Sequence, residues 1–222
     1  MIINKIRYAY SIIGDFLSFL INNEQRIKNM LLDHEIQTKV DKLPNGQEVK
    51  SLLFKKDNIG IRFLPMRIDF DYACKTPNED AMEGFECANK FFRLFGEIFP
   101  DVIGNRIALV SQGFIENNDN STLAKFAESM GLSSKFGPCA ELSFKINTPK
   151  AYDEALNSIL AVEMGNAKNN KTNQQTRIML LGLDVNTLPN NKELRFKAEN
   201  FESDFKNLIQ EVEERFSIIG NY

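Results

Sequence analysis

The sequence predicts an α+β fold: a mostly antiparallel sheet with helices on one face, a ferredoxin-like split β-α-β N-terminal part continued by a second α+β submodule, and a C-terminal amphipathic helix. Three observations carry this reading. Apolar residues alternate with period two in short segments such as 6–12 and 140–146. Apolar residues recur at steps of three and four over 82–99 and 201–219. Over the first half these patterns follow one another as strand, helix, strand, strand, helix, strand, the order of a split β-α-β unit.

The first strand is "IRYAYSI", with Ile6, Tyr8, Tyr10 and Ile12 in one phase and Arg7 and Ser11 in the other. Gly14 and Asp15 open a helix whose apolar face is Phe16, Leu20, Ile27 and Leu31. The apolar run at the start is interrupted by Asp15 and is shorter than the roughly 20 residues a bilayer needs, so it reads as part of the fold rather than as a signal peptide. Asn45-Gly46 and Asp57-Asn58 are turn signals, so strands flank both, and a strand over 34–40 would add a further member. In "IGIRFLPMRIDFDY", residues 59–72, the apolar positions pass from odd numbers (Ile59, Ile61, Phe63) to even ones (Met66, Ile68, Phe70, Tyr72). The change falls at Pro65, which donates no ladder hydrogen bond, and one extra residue in a bulge there would move every later side chain to the other face.

A helix begins with Thr76 at N-cap, Pro77 at N1 and Glu79 completing a capping box. Its apolar face is Met82, Phe85, Ala88, Phe92, Phe95 and Phe99, and Pro100 lies beyond its end. "VIGNRIALVSQGFI" is a strand covered on both faces. "STLAKFAESMG" is a short helix capped by Ser121 and stopped at Gly131. In "CAELSFKIN", Ala140, Leu142, Phe144 and Ile146 form the inner row of a half-buried strand. Residues 156–186 read as two strands around the polar loop "NAKNNKTNQQT", with a helix over 152–164 as the competing reading. The terminal helix carries Phe201, Phe205, Leu208, Val212, Phe216 and Ile219 along one stripe, and "EVEER" on its outer face. No linker-like segment divides the chain, so 1–222 is expected to form a single α+β domain, with 1–116 and 117–222 as submodules.

Composition narrows the function. The net charge of −3 and a pI near 5.4 argue against a general binder of nucleic-acid backbone. Eighteen Phe and no Trp, with abundant Asn, Lys and Ile, fit an AT-rich bacterial genome. Cys74, Cys87 and Cys139 are odd in number and widely spaced, as expected of buried thiols in a reducing cytoplasm. A single histidine, His34, beside Asp33 and Glu35 at a helix end, leaves zinc catalysis and a hydrolase triad without their parts. The glycines are isolated, and no phosphate-binding loop occurs. Tyr8 and Tyr10 lie near Arg7 but share the apolar phase, which makes them core rather than a base-stacking platform.

The polar surface candidate is Arg67, Asp69 and Asp71, which alternate along one strand face. Two carboxylates in a row could hold a divalent metal in a nuclease or nucleotide-processing enzyme. Alternatively they pair with Lys5 and Arg7 on the neighbouring first strand as a charged ladder; this is the preferred reading, with Arg7 as the neutralising partner, and it requires no metal and no cofactor. The candidate interface is Phe201, Phe205, Leu208, Val212 and Phe216, at near-heptad spacing, facing either a partner or the chain's own sheet.

Over most of its length the chain resembles a sporadically distributed family of uncharacterised bacterial proteins. The resemblance lies in the strand pair ending "MRIDFDY", the helix "FECANKFFRLFGEIF", the strand "NRIALVSQGFI" and the closing amphipathic helix. It implies no established activity. By analogy with families that travel with mobile elements, it leaves an antiphage-defence or counter-defence role as the alternative. The leading expectation is a cytoplasmic interaction or assembly protein without catalysis. It would self-associate through a sheet edge or the terminal helix, bind protein rather than nucleic acid, and stay off the membrane.

Overall fold

The computed structural model describes residues 5–14, 23, 25–27, 29, 36–42, 46, 48–54, 59–74, 80–117, 121–138, 140–168 and 172–220. Within them the chain is α+β. The strands are β1 (Lys5–Ile13), β2 (Ile36–Lys42), β3 (Glu48–Phe54), β4 (Ile59–Leu64), β5 (Arg67–Ala73), β6 (Ile103–Gly104), β7 (Arg106–Glu116), β8 (Ser143–Ala151), β9 (Ala155–Lys168), β10 (Gln175–Thr187) and β11 (Phe196–Lys197). The helices are α1 (Asp80–Ile98), α2 (Ser121–Ser129), α3 (Leu132–Phe136) and α4 (Phe201–Gly220), with a 3-10 turn at Ala198–Asn200. The described residues around Ile27 are also helical.

Nine strands form one sheet in the order β2-β3-β4-β5-β1-β7-β10-β9-β8, and every neighbouring pair is antiparallel. The β7–β10 ladder joins the two halves of the chain within that sheet. β6 and β11 pair separately, because the strand expected over 102–115 breaks at Asn105.

Period two decides which residues line the helical side. Tyr8, Tyr10 and Ile12 of β1 point there with Ile68, Phe70 and Tyr72 of β5, and with Ile107 and Leu109 of β7. α1 lays Ala88, Phe92, Phe95 and Phe99 onto them, and α4 adds Phe201, Phe205, Leu208 and Val212. The aromatic rings interlock: Phe92 and Phe201 stack at 5.0 Å, and Phe201 and Phe205 at 4.4 Å. Burying each such ring contributes about 1.5–3 kcal/mol. α1 approaches the turn at 198–200 so closely that a Cβ on Gly96 would stand 2.5 Å from the Glu199 backbone nitrogen. α2 covers the far part of the same face, where Phe126 meets Ile115, Val162, Met179 and Leu181.

Several expectations change. Met82 is 62% exposed, so α1 buries its stripe only from Phe85 onward, and Phe91 belongs to the core as well. Residues 155–168 are a strand, and the helical alternative over 152–164 does not occur. Ser121 is the first helical residue of α2, while Asn117 Oδ1 accepts the Leu123 N–H; Gly131, at φ +67°, follows the helix as expected. β8 is an edge strand, which leaves Ala140 and Ile146 exposed where an inner row was expected. Phe16, Leu20, Leu31, the turns at Asn45 and at 57–58, the capping box Thr76, Pro77 and Glu79, His34 and Cys139 lie outside the described residues.

Candidate functional site

The change of phase at Pro65 is a hairpin. β4 and β5 are separate antiparallel strands joined by the two-residue turn Pro65-Met66, so Arg62 stands opposite Asp69 and Gly60 opposite Asp71. Each pair joins an even to an odd number, and partners directly opposite share a face. A two-residue turn therefore exchanges odd for even without a bulge. Neither Pro65 nor Met66 has positive φ, which excludes turn types I′, II and II′; proline at the first turn position suits type I.

The hairpin gathers a charged cluster on the face away from the helices. Asp69 is only 1% exposed, and Asp71 is also buried. Ser11 of β1, paired with Asp69 across the ladder, donates its hydroxyl to Asp69 Oδ1 at 2.7 Å. Arg62 Nη2 lies 3.2 Å from Asp69 Oδ2 and donates to Asp71 Oδ1 at 3.3 Å. Arg62 Nε is 2.8 Å from Asp71 Oδ2, an ion pair whose N–H is not aligned for a hydrogen bond. Arg67 Nε adds a contact of 3.1 Å to Asp69 Oδ1. Burial pushes the Asp69 carboxyl above its ordinary range, while Arg67, the Ser11 hydroxyl and Arg62 pull it back.

Two guanidinium groups thus face two carboxylates. The expected ladder was with Lys5 and Arg7; the basic partners that the described residues show are Arg62 and Arg67. Arg7 pairs with Ala73 rather than with either aspartate, and its side chain, like that of Lys5, lies outside the described residues. Arg62 is the residue that sequence reasoning missed. Among the described residues, no three His, Cys, Asp or Glu side chains are grouped so as to hold a metal ion. Beside the cluster, a groove of about 550 Å³ crosses the open sheet face between Lys39, Arg62, Gln112, Phe114 and Leu180.

The terminal-helix candidates fall elsewhere. Phe201, Phe205, Leu208 and Val212 are buried in the chain's own core, and Phe216 packs partly buried against it, so this stripe faces the sheet and not a partner. Glu211, expected on an acidic outer face, is fully buried. It accepts Ser158 Oγ at 2.6 Å, Arg215 Nε at 2.9 Å and Tyr152 OH at 3.1 Å, and pairs with Lys150 Nζ at 3.1 Å. A wider groove of about 880 Å³ lies between α1 and α4 over Tyr8 and Tyr10. Its rim mixes Arg93 and Lys206 with Glu199, Glu202 and Glu213, which gives it no single electrostatic preference.

At the start of α4, burial, with Glu154 nearby, raises the Asp204 carboxyl to about 6 against Arg195, which pulls it down. Asp204 Oδ2 is buried without a hydrogen bond, and Arg195 is already committed to Glu154 at 2.8 and 3.1 Å. The native state therefore holds this proton more tightly than the unfolded chain, and stability is lost as pH rises from about 4 to about 6. Asp204→Asn is expected to flatten that slope and to raise stability at neutral pH by about 1 kcal/mol, discounted for partial exposure. Thermal melts across the window check it.

A further feature is the β8 edge, one of the two ends of the sheet, the other being β2. Among the described residues β8 pairs only with β9. Met164 N donates to Leu142 O, which fixes the alternation: even-numbered residues of β8 bond to β9, and the N–H and C=O groups of Ser143, Lys145 and Asn147 point outward. Pro149 takes the next outward position, where its missing N–H costs no ladder bond. Ile146, on the helical side of this edge, is 43% exposed. No helix among the described residues is long and apolar enough to cross a membrane. No protein-family model and no curated protein matches the chain.

Proposed function

We propose that this chain is a bacterial cytoplasmic interaction or assembly protein without catalytic activity, and that it associates with itself. The observation that carries the reading is the β8 edge, whose outward backbone groups at Ser143, Lys145 and Asn147 form a template for another strand. The charged row lends support from the other side. Asp69 and Asp71 are matched by Arg62 and Arg67, which leaves little uncompensated negative charge to attract a cation. With the terminal-helix stripe inside the core, self-association falls to the sheet edge.

The finer fold belongs to the same proposal. Residues 1–116 form a ferredoxin-like part in which β1, β4, β5 and β7 are the four strands and β2-β3 is an added hairpin; residues 117–222 continue it within one domain. The spatial run β4-β5-β1-β7, antiparallel throughout, supports this. Membership of the sporadic bacterial family is proposed with it, on the segments that carry the resemblance.

Sedimentation equilibrium tests the function. The expected result is a mass approaching twice the 25.4 kDa of the chain as concentration rises. A mass that stays at one chain up to the solubility limit overturns self-association.

A further inference from the structure

We infer that two copies of this chain join β8 to β8 about a twofold axis at Ile146, extending one antiparallel sheet through both. The inference rests on the self-association proposed above and specifies its surface, partner and register.

The outward groups of β8 are those of odd-numbered residues, so a second β8 must set odd residues opposite odd ones. Three twofold registers centred near the middle of β8 then compete. Centring on Lys145 sets two like charges directly opposite, which is unfavourable. Centring on Asn147 places Pro149, which has no N–H, opposite Lys145 on both sides of the axis and removes bonds near the middle. Centring on Ile146 pairs Lys145 with Asn147 twice and moves Pro149 outward, opposite Ser143, which leaves about six main-chain hydrogen bonds. Phe144 then meets Thr148. Ile146 meets its own copy in a non-hydrogen-bonded pair, where side chains approach most closely, so its exposed surface is covered by an identical one.

A second copy fits better than an arbitrary strand because this segment is complementary to itself. Lys145 discourages the register that would oppose it to itself and is accepted by the one that brings it to Asn147. Lys150 does not guard the edge, since it is tied to buried Glu211. The arrangement is isologous and closed, so it stops at two copies.

Cysteine cross-linking tests the register in a chain carrying Cys87→Ser and Cys139→Ser, with buried Cys74 kept. Opposed residues in a non-hydrogen-bonded pair are about 4.5 Å apart at Cα, within disulfide reach, whereas the two copies of residue 145 would be diagonal at about 7–8 Å. Ile146→Cys is expected to give a covalent dimer as the dominant band after mild oxidation, and Lys145→Cys to remain at background. Cross-linking through Lys145→Cys instead overturns the register. A dimer by mass that neither variant cross-links overturns β8 as the surface while leaving self-association standing. A monomer by mass overturns both.

Discussion

Arg62→Met is expected to lower stability by about 3 kcal/mol at neutral pH, a fall of roughly 6–12 °C in Tm for a chain of this size. Methionine keeps much of the aliphatic stem but removes the guanidinium that spans Asp69 and Asp71. Asp69 would then keep Arg67, which is largely exposed, and the Ser11 hydroxyl, while its carboxylate stays buried. The loss should depend on pH in a defined direction. Burial already holds the Asp69 carboxyl above its ordinary value, so the native state binds its proton more tightly than the unfolded chain. Stability is therefore lost as pH rises through the window above the unfolded value of 3.8, and removing Arg62 raises the native value further. The deficit of Arg62→Met should shrink on acidification. Arg62→Met with Asp69→Asn should recover part of it at neutral pH, since the buried charge is gone. Melts of the two variants against the parent check this. Equal deficits for the single and double variants across the pH range would show that the cost is lost packing.

The aspartate row was visible in the sequence because period two is a local property, and Arg67, Asp69 and Asp71 all lie on one strand. Its counter-charge was not visible, because Arg62 sits across a turn. A bulge at Pro65 would keep Arg62 on the charged face but far along one continuous strand from Asp69, whereas a two-residue hairpin places it directly opposite Asp69. Both give the same alternation, and Pro-Met lacks the Asn-Gly signature that marks the commoner hairpin turns. Reading the change of parity as the rule of a tight hairpin would have found it.

The second half shows the same division. Phe201, Phe205, Leu208 and Val212 announce a helix by spacing, but spacing alone does not say whether a stripe meets a sheet of the same chain or a partner. The edge position of β8 was equally hidden, because strand order is a long-range property, and Ile146 alternates as a buried residue would. The stretch "EVEER" places Glu211 on the outer face together with Glu213 and Glu214, and only the latter two are exposed. Glu211 stands three residues after Leu208 and beside Val212, next to the buried stripe, so burial was open to it provided that partners were waiting.

Those partners make Glu211→Ala the substitution with the largest expected cost, about 4 kcal/mol, or roughly 8–16 °C in Tm. The carboxylate is fully buried and joins α4 to β8 through Lys150, to β9 through Ser158, and to Tyr152 between them. Alanine leaves the Ser158 and Tyr152 hydroxyls without their acceptor and strands the Lys150 and Arg215 charges beside the core. Glu211→Gln keeps the shape and one acceptor but loses the charge, and should cost about half as much. The pH dependence runs opposite to that of Asp69. Burial alone would raise the Glu211 carboxyl, but bonds from Ser158, Arg215, Lys150 and Tyr152 hold it below its ordinary 4.5. Its stabilisation is thus present above the unfolded value and lost as pH falls through the native one, so parent and Glu211→Ala should converge on acidification. Hydrogen exchange adds a reading that links stability to the edge. Lys150 is the contact through which Glu211 fixes the far end of β8, so Glu211→Ala should speed exchange at even-numbered β8 amides, which bond to β9, more than at β1 or β7 amides. A uniform rise across the sheet would mean that Glu211 supports the fold as a whole and plays no particular part in holding the edge.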